Sequence, residues 1–143
     1  MVGAIVFSMV AAVAVSTYVM MNRMWKEDVV LNMLSRDANI AIEKMVRGRP
    51  SNSGIIGAQS VESPLSGASG NSINYTDMNG VSRRFYYSSG SILSESGTAI
   101  ATNVNAVTFY NIDNMIRIDL AMHKYVVSKE IRFSIETQVS PRN

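Results

Sequence analysis

Cysteine is absent from this 143-residue chain and histidine occurs once, so several kinds of chemistry are excluded at the outset. Without cysteine there are no disulfides, no thiol catalysis and no thiolate metal sites. The lone His123 cannot form a histidine-rich zinc site. The sequence also has no glycine-rich phosphate loop and no G-x-S-x-G motif. The formal net charge of +2 is small and scattered, so no nucleic-acid contact is predicted.

Charge is also missing from residues 1–22, and this is the strongest signal in the chain. At about 1.5 Å per residue, a helix of that length covers about 33 Å, enough to cross a bilayer core. Secretory apolar segments are shorter and follow a basic stretch, which is lacking here. Trp25 suits the membrane surface. The first charges after the segment sum to zero and indicate no orientation: Arg23, Lys26, Glu27 and Asp28.

Residues 23–48 continue the helix with an amphipathic pattern. Apolar residues recur there at steps of three and four: Val30, Leu34, Ala38, Ala41 and Met45. Gly48 and then Pro50 predict the end of the helix. If helical throughout, residues 1–47 span about 70 Å. The first part is predicted to lie in a membrane or among copies of itself, and the second part to carry a folded domain.

The remaining chain divides into a predicted loop, residues 49–71, and an antiparallel β domain, residues 72–143. The loop is rich in serine, glycine and proline. Asn79-Gly80 predicts a hairpin, and alternation predicts strands at 72–77, 81–87, 91–95, 104–112, 115–122 and 129–139. We therefore expect an α+β fold with a four- or five-stranded antiparallel sheet packed on the long helix. The expected helix–sheet contacts are Val30, Leu34, Ala41, Met45, Ile116, Ile118, Leu120, Ile131, Phe133 and Ile135.

Three further features each allow a functional and a structural interpretation. The aromatic residues at 85–87, 109 and 110, beside Arg83 and Arg84, suit a nucleic-acid or glycan surface, but strand packing also explains them. Asp113, Asn114 and Asp119 offer oxygen ligands for calcium, although the EF-hand spacing is absent and Asp113-Asn114 suits a turn. His123 is expected to end a strand. No cofactor, metal or catalytic residue is predicted, so the chain is not expected to be an enzyme.

Together with the Asn79-Gly80 hairpin, five segments resemble the type IV pilin-like proteins, above all the minor pilins and minor pseudopilins. They are VGAIVFSMVAAVAVSTY at 2–18, DANIAIEKMVR at 37–47, RFYY at 84–87, NVNAVTF at 103–109 and RN at 142–143. The prepilin signature is a glycine before the cleavage site followed by Phe-Thr-Leu-x-Glu. This signature is missing here, and the fifth position, which is glutamate in the signature, is Ile5. Truncation is the simplest expected reason, with Met1 about six residues into the mature family helix. The alternative is that the protein never passes through prepilin peptidase.

The resemblance implies a subunit of a type IV pilus-like or type II secretion pseudopilus filament. The helix would first lie in the inner membrane with the β domain outside the cytoplasm. On assembly it would pack with copies of itself and with other pilin-like subunits. The assembly contacts would then be apolar: Ile5, Phe7, Val10, Val13 and Tyr18. One alternative is a single-pass anchored binding or sensor module outside the cytoplasm. A second alternative is a membrane-tethered enzyme, for which the sequence offers no convincing catalytic site.

Overall fold

One uninterrupted helix, α1 (Val2–Arg47), runs through the first third of the chain in this computed structural model, which describes residues 2–48, 53–94 and 96–141. Its 46 residues give a length of about 69 Å. Gly48 ends it in the left-handed region at φ 63°. The Gly48 N–H donates to the Lys44 carbonyl at 2.9 Å, which satisfies one of the last helical acceptors. Predicted features at Met1, Pro50, Glu95 and residues 142–143 lie outside the described residues.

Glycine is required where the chain returns to the end of α1. A Cβ atom on Gly48 would overlap the backbone of Ser53 and Gly54. A Cβ atom on Gly54 would overlap the backbone of Val46, Arg47 and Gly48. The two backbone segments therefore touch directly, and this contact places the start of the β domain against the helix end.

Among the described residues, nine strands follow α1 and form two antiparallel sheets. In chain order the strands are β1 (Ser60–Ser63), β2 (Ser69–Gly70), β3 (Ser72–Thr76), β4 (Ser82–Ser88), β5 (Ser91–Ser94), β6 (Ala99–Ala101), β7 (Val104–Ile112), β8 (Met115–Val126) and β9 (Lys129–Val139). The first sheet has the order β1-β3-β4-β5-β6 and the second has the order β2-β7-β8-β9. We call them sheet A and sheet B.

The α+β fold, with one long helix on antiparallel strands, is confirmed, but the strands are divided between two sheets where one was expected. The division occurs at Asn103, whose left-handed conformation (φ 60°) turns the chain between β6 and β7. Residues 49–71, predicted as a loop, contain a 3-10 turn (Ile55–Gly57) and the strands β1 and β2. Strand β8 also continues past His123 to Val126, so the expectation that His123 ends the strand is wrong.

The core lies between the second half of α1 and the inner faces of both sheets. Four helix residues at steps of four, three and four are buried: Leu34, Ala38, Ala41 and Met45. The two alanines let the sheet approach the helix closely, while Leu34 and Met45 fill the ends of the seam. From sheet B they face the alternating residues of β8, Ile116, Ile118, Leu120 and Met122, all buried. Only half of the helix thus takes part in the folded core.

Strand β9 runs along α1 in the same direction. Its first residues lie beside Lys26 and Glu27, and its last residues lie beside Asn39 and Glu43. The β8–β9 hairpin therefore follows the helix for most of the length of the β domain. Its tip lies at the end of the domain nearest the uncharged segment.

A buried carboxylate organises the β3–β4 hairpin. Asp77 is fully buried, and its Oδ1 accepts hydrogen bonds from the backbone N–H of Asn79 at 2.8 Å and of Val81 at 3.0 Å. The Arg83 Nε donates to Asp77 Oδ2 at 3.1 Å. The Val81 N–H, followed by the Asn79 N–H and the Arg83 guanidinium, lowers the pKa of Asp77 below its ordinary value of 3.8 against the opposing effect of burial.

Acidification is therefore expected to weaken the fold through Asp77. A carboxyl whose pKa is lower in the folded state stabilises the fold above its unfolded pKa, and this stabilisation disappears as the pH falls through the folded pKa. Asp77→Asn should lower the melting temperature at neutral pH and flatten its fall below the ordinary pKa of 3.8. Thermal unfolding of the full chain in detergent micelles measures both effects. Asp37→Asn, on the exposed helix surface, is the matched control; an acid response of Asp77→Asn equal to that control would contradict the role of Asp77.

Candidate membrane and assembly surface

The first half of α1 forms an apolar surface that the rest of the chain leaves uncovered. Residues 3–26 are all exposed. The helix is long and apolar enough to cross a membrane, with a mean hydropathy of 2.1 in its most apolar window. Three of its hydroxyl groups are satisfied within the helix: Ser8 donates to the Ile5 carbonyl at 2.8 Å, and Ser16 and Thr17 donate to the Val13 carbonyl at 2.9 and 2.8 Å. These side chains therefore enter an apolar environment without losing hydrogen bonds.

The five side chains predicted as assembly contacts all lie on this uncovered surface: Ile5, Phe7, Val10, Val13 and Tyr18. At about 100° per residue they are distributed around more than half of the helix circumference. A helix that pairs with one neighbour needs a single apolar stripe. An apolar surface on many sides instead suits surrounding lipid or several neighbouring helices.

Polar contacts begin at the level where the uncharged segment ends. Trp25 is 66% exposed beside the first charged residues. Two residues after Trp25, Glu27 forms an ion pair with Lys129 at the start of β9. This pair joins β9 to α1 at the end of the β domain closest to the apolar segment.

The residues predicted to pack the helix against the sheet meet in one cluster. Leu34, Ala41, Met45, Ile116, Ile118, Leu120 and Ile131 are buried, and Val30, Phe133 and Ile135 pack against them as partly buried residues. Both sides of this contact carry periodic apolar patterns in the sequence, at steps of three and four in α1 and at alternate residues in sheet B.

The aromatic residues considered for ligand binding are divided between the interior and the surface. Phe85 and Phe109 are buried. On the outside, the Arg84 guanidinium lies 5.0 Å from the Tyr86 ring centroid and the Arg117 guanidinium lies 4.1 Å from the Tyr110 ring centroid. Arg83 is paired with Asp77. These side chains do not form a continuous stacking platform.

The other polar candidates also lie apart. Asp113 and Asn114 form the two-residue β7–β8 turn, with φ values of 48° and 65°. Asp119 lies on the outer face of sheet B, where its Oδ1 is 3.4 Å from the Arg117 Nε. The His123 and Tyr125 rings form a T-shaped pair, with 6.0 Å between their centroids. Within the part of the chain that the structure describes, no group of three His, Cys, Asp or Glu side chains could hold a metal ion.

The turn between β8 and β9 was missed by sequence reasoning. Val126 pairs with Lys129, so Val127 and Ser128 are the two turn residues. Two-residue turns favour Asn and Gly because they need positive φ, and Val-Ser carries no such signal. Val127 nevertheless has φ 59°.

The exposed apolar helix and its β domain together define a class of protein. A long apolar N-terminal helix whose second half carries an antiparallel β domain is a pilin-like layout, compatible with a membrane-anchored module. No protein-family model, no curated protein and no solved structure matches this chain.

Proposed function

We propose that this protein is a structural subunit of a type IV pilus-like or type II secretion pseudopilus filament, assembling through the first half of α1. The observation that carries the proposal is the contrast within one helix. Its second half is covered by sheet B, whereas residues 3–26 are uncovered and apolar for most of that length. A surface of this kind requires either lipid or other helices.

Both environments are used in the proposed cycle. Before assembly α1 resides in the inner membrane, with the β domain outside the cytoplasm. In the filament the apolar halves pack together and the β domains cover the outside, with copies of this chain and other pilin-like subunits as neighbours. Apolar helix surface exchanges lipid for helix neighbours at little cost, because neither environment contains water. No reaction is catalysed and no cofactor is bound in this proposal.

Cysteine cross-linking tests the assembly directly, because the natural chain has no cysteine and gives no background. The full chain carries one cysteine in each half of the uncovered surface, for example Phe7→Cys with Tyr18→Cys. Neighbouring helices in a filament are displaced along their axes. Two positions are therefore used, because the cysteine at position 7 of one copy can then meet the cysteine at position 18 of the next copy. Oxidation of intact cells is expected to give a ladder of dimers, trimers and longer products.

The control pair is Leu65→Cys with Val81→Cys, two exposed positions of the β domain outside the helix. A ladder from the helix pair and monomers from the control pair support the filament. Monomers from every paired combination of Ile5, Phe7, Val10, Val13 and Tyr18 would overturn it.

A second candidate function is a single-pass anchored binding or sensor module. An open cleft of about 700 Å³ between the end of α1 and β9 favours it, with Asn39, Glu43, Arg47 and Gln138 among its lining residues. This function requires α1 only as an anchor, so it predicts monomers in the cross-linking experiment. It also predicts that Asn39→Ala with Gln138→Ala abolishes ligand binding while the membrane location is unchanged.

A further inference from the structure

The turn at the tip of the β8–β9 hairpin displays an apolar side chain in an unfavourable backbone conformation. Val127 is 86% exposed, the highest value among the large apolar side chains of the described residues. A β-branched residue at positive φ is a rare outlier, whereas Asn or Gly adopts this conformation readily. The side chain packs into no core that would explain its presence. Strain of this kind points to a function for the side chain itself.

The position of the tip along α1 suggests what that function is. Val126 and Val127 face Val19 and Asn22 across a cleft of about 330 Å³. Val19 lies within the uncharged segment, one turn before the first charge. If residues 3–22 cross a hydrocarbon core of about 30 Å, the tip lies at the boundary between acyl chains and headgroups. The ion pair between Lys129 and Glu27 holds the hairpin at that level.

The composition of the tip is that of a membrane-surface element. Tyr125 is 64% exposed on the outer face of β8, and tyrosine is favoured at membrane interfaces because its ring is apolar and its hydroxyl is polar. The cleft beside the tip holds three cations, Arg23, Lys26 and Lys129, against one carboxylate, Glu27. Positive charge next to an exposed apolar side chain complements an anionic phospholipid surface.

We propose that the β8–β9 tip, residues 125–129, is a second membrane contact, in which Val127 enters the headgroup–acyl boundary and the neighbouring cations bind anionic lipid headgroups. The inference rests on the membrane-resident helix of the proposed function. It adds a contact that limits the tilt of the helix and β domain relative to the bilayer while the protein is in the membrane. On assembly the tip must leave the lipid together with the helix.

Lipid quenching of a single tryptophan tests the contact on the full chain. In a Trp25→Phe background, Val127→Trp reports on the turn, and Tyr125→Trp reports on the same tip without substituting the strained residue. The proteins are reconstituted in vesicles of phosphatidylcholine and phosphatidylglycerol with shallow brominated acyl chains. Both reporters are expected to show blue-shifted emission and lipid quenching that approaches that of Tyr18→Trp, because the tip faces Val19, the next residue of the helix.

Two control positions separate the possible outcomes. Tyr18→Trp reports on the helix in the membrane, and Met78→Trp reports on an exposed loop of the β domain. If the tip reporters remain as unquenched as Met78→Trp while Tyr18→Trp is quenched, the tip contact is refuted and the anchored helix stands. If Tyr18→Trp is unquenched as well, the membrane helix of the proposed function fails too. A blue shift without lipid quenching assigns the tip to a neighbouring copy and also refutes the lipid contact.

Val127→Asn separates loss of lipid contact from loss of fold. Asparagine suits the positive φ of a two-residue turn, so the variant should raise the melting temperature by about 5 °C. In the same variant, lipid quenching of Tyr125→Trp is expected to fall. Unchanged quenching in a more stable protein would show that Val127 has no part in the lipid contact.

Discussion

Replacement of Phe109 by alanine is expected to lower the free energy of unfolding by about 3–5 kcal/mol, the range for removing a buried aromatic side chain. Phe109 is fully buried in β7, opposite Ile118 in the β7–β8 ladder. Its ring lies in the core on the inner face of sheet B, together with the buried Ile116, Ile118 and Leu120 of β8. Small domains are stable by only about 5–15 kcal/mol, so the variant loses a large share of the total.

Urea unfolding of the full chain in detergent micelles, followed by circular dichroism, measures this loss. The matched control is Tyr110→Ala, the next residue in β7, whose ring lies on the opposite face beneath the Arg117 guanidinium at 4.1 Å. That variant removes an aromatic ring from the surface and is expected to cost about 1 kcal/mol or less. Equal costs at the two positions would contradict the assignment of the inner face.

Two arginines in the middle of the uncharged segment are expected to abolish membrane insertion. Val10→Arg with Val13→Arg places both charges near the midpoint of residues 3–22, where each costs about 2.5–3.5 kcal/mol on the insertion scale. The sum of about 5–7 kcal/mol corresponds to a loss of about a thousandfold or more in partitioning. Both positions are exposed in the structure, so the β domain should remain folded.

Alkaline extraction of cell membranes measures this effect, with the natural chain expected in the membrane pellet and the double variant in the supernatant. The control is Met78→Arg with Val81→Arg, which adds the same two charges to an exposed hairpin loop. Retention of the double helix variant in the pellet would show that residues 3–22 do not hold the chain in the membrane. The cross-linking ladder should also disappear, because charged side chains cannot pack in an apolar helix bundle.

The helix and its packed face could be predicted from the sequence because one periodic signal runs through it. Steps of three and four residues identified Leu34, Ala41 and Met45, and the Gly48 signal located the helix end. The longer strands could also be predicted, since a sheet with one buried face alternates in composition. In β8 the alternation of Ile116, Ile118 and Leu120 is matched by the burial pattern.

The missed features depend on contacts between distant parts of the chain. Strand β2 has two residues, Ser69 and Gly70, and forms only because β7 offers an unpaired edge. The division into two sheets depends on the conformation of Asn103, one of the two residues between β6 and β7. The β8–β9 turn contains no glycine, asparagine, aspartate or proline, so its position follows from the register of the two long strands. No local pattern contains this information.

The parallel course of α1 and β9 has a mechanical consequence. A force that pulls the β domain along the helix axis does not peel strands apart one pair at a time. Such a force acts in shear on the whole interface between α1 and sheet B. The packing contacts of four buried helix residues must then break at the same time: Leu34, Ala38, Ala41 and Met45. A protein built this way resists axial tension far better than a sideways pull on β1 or β6, the two outer strands of sheet A.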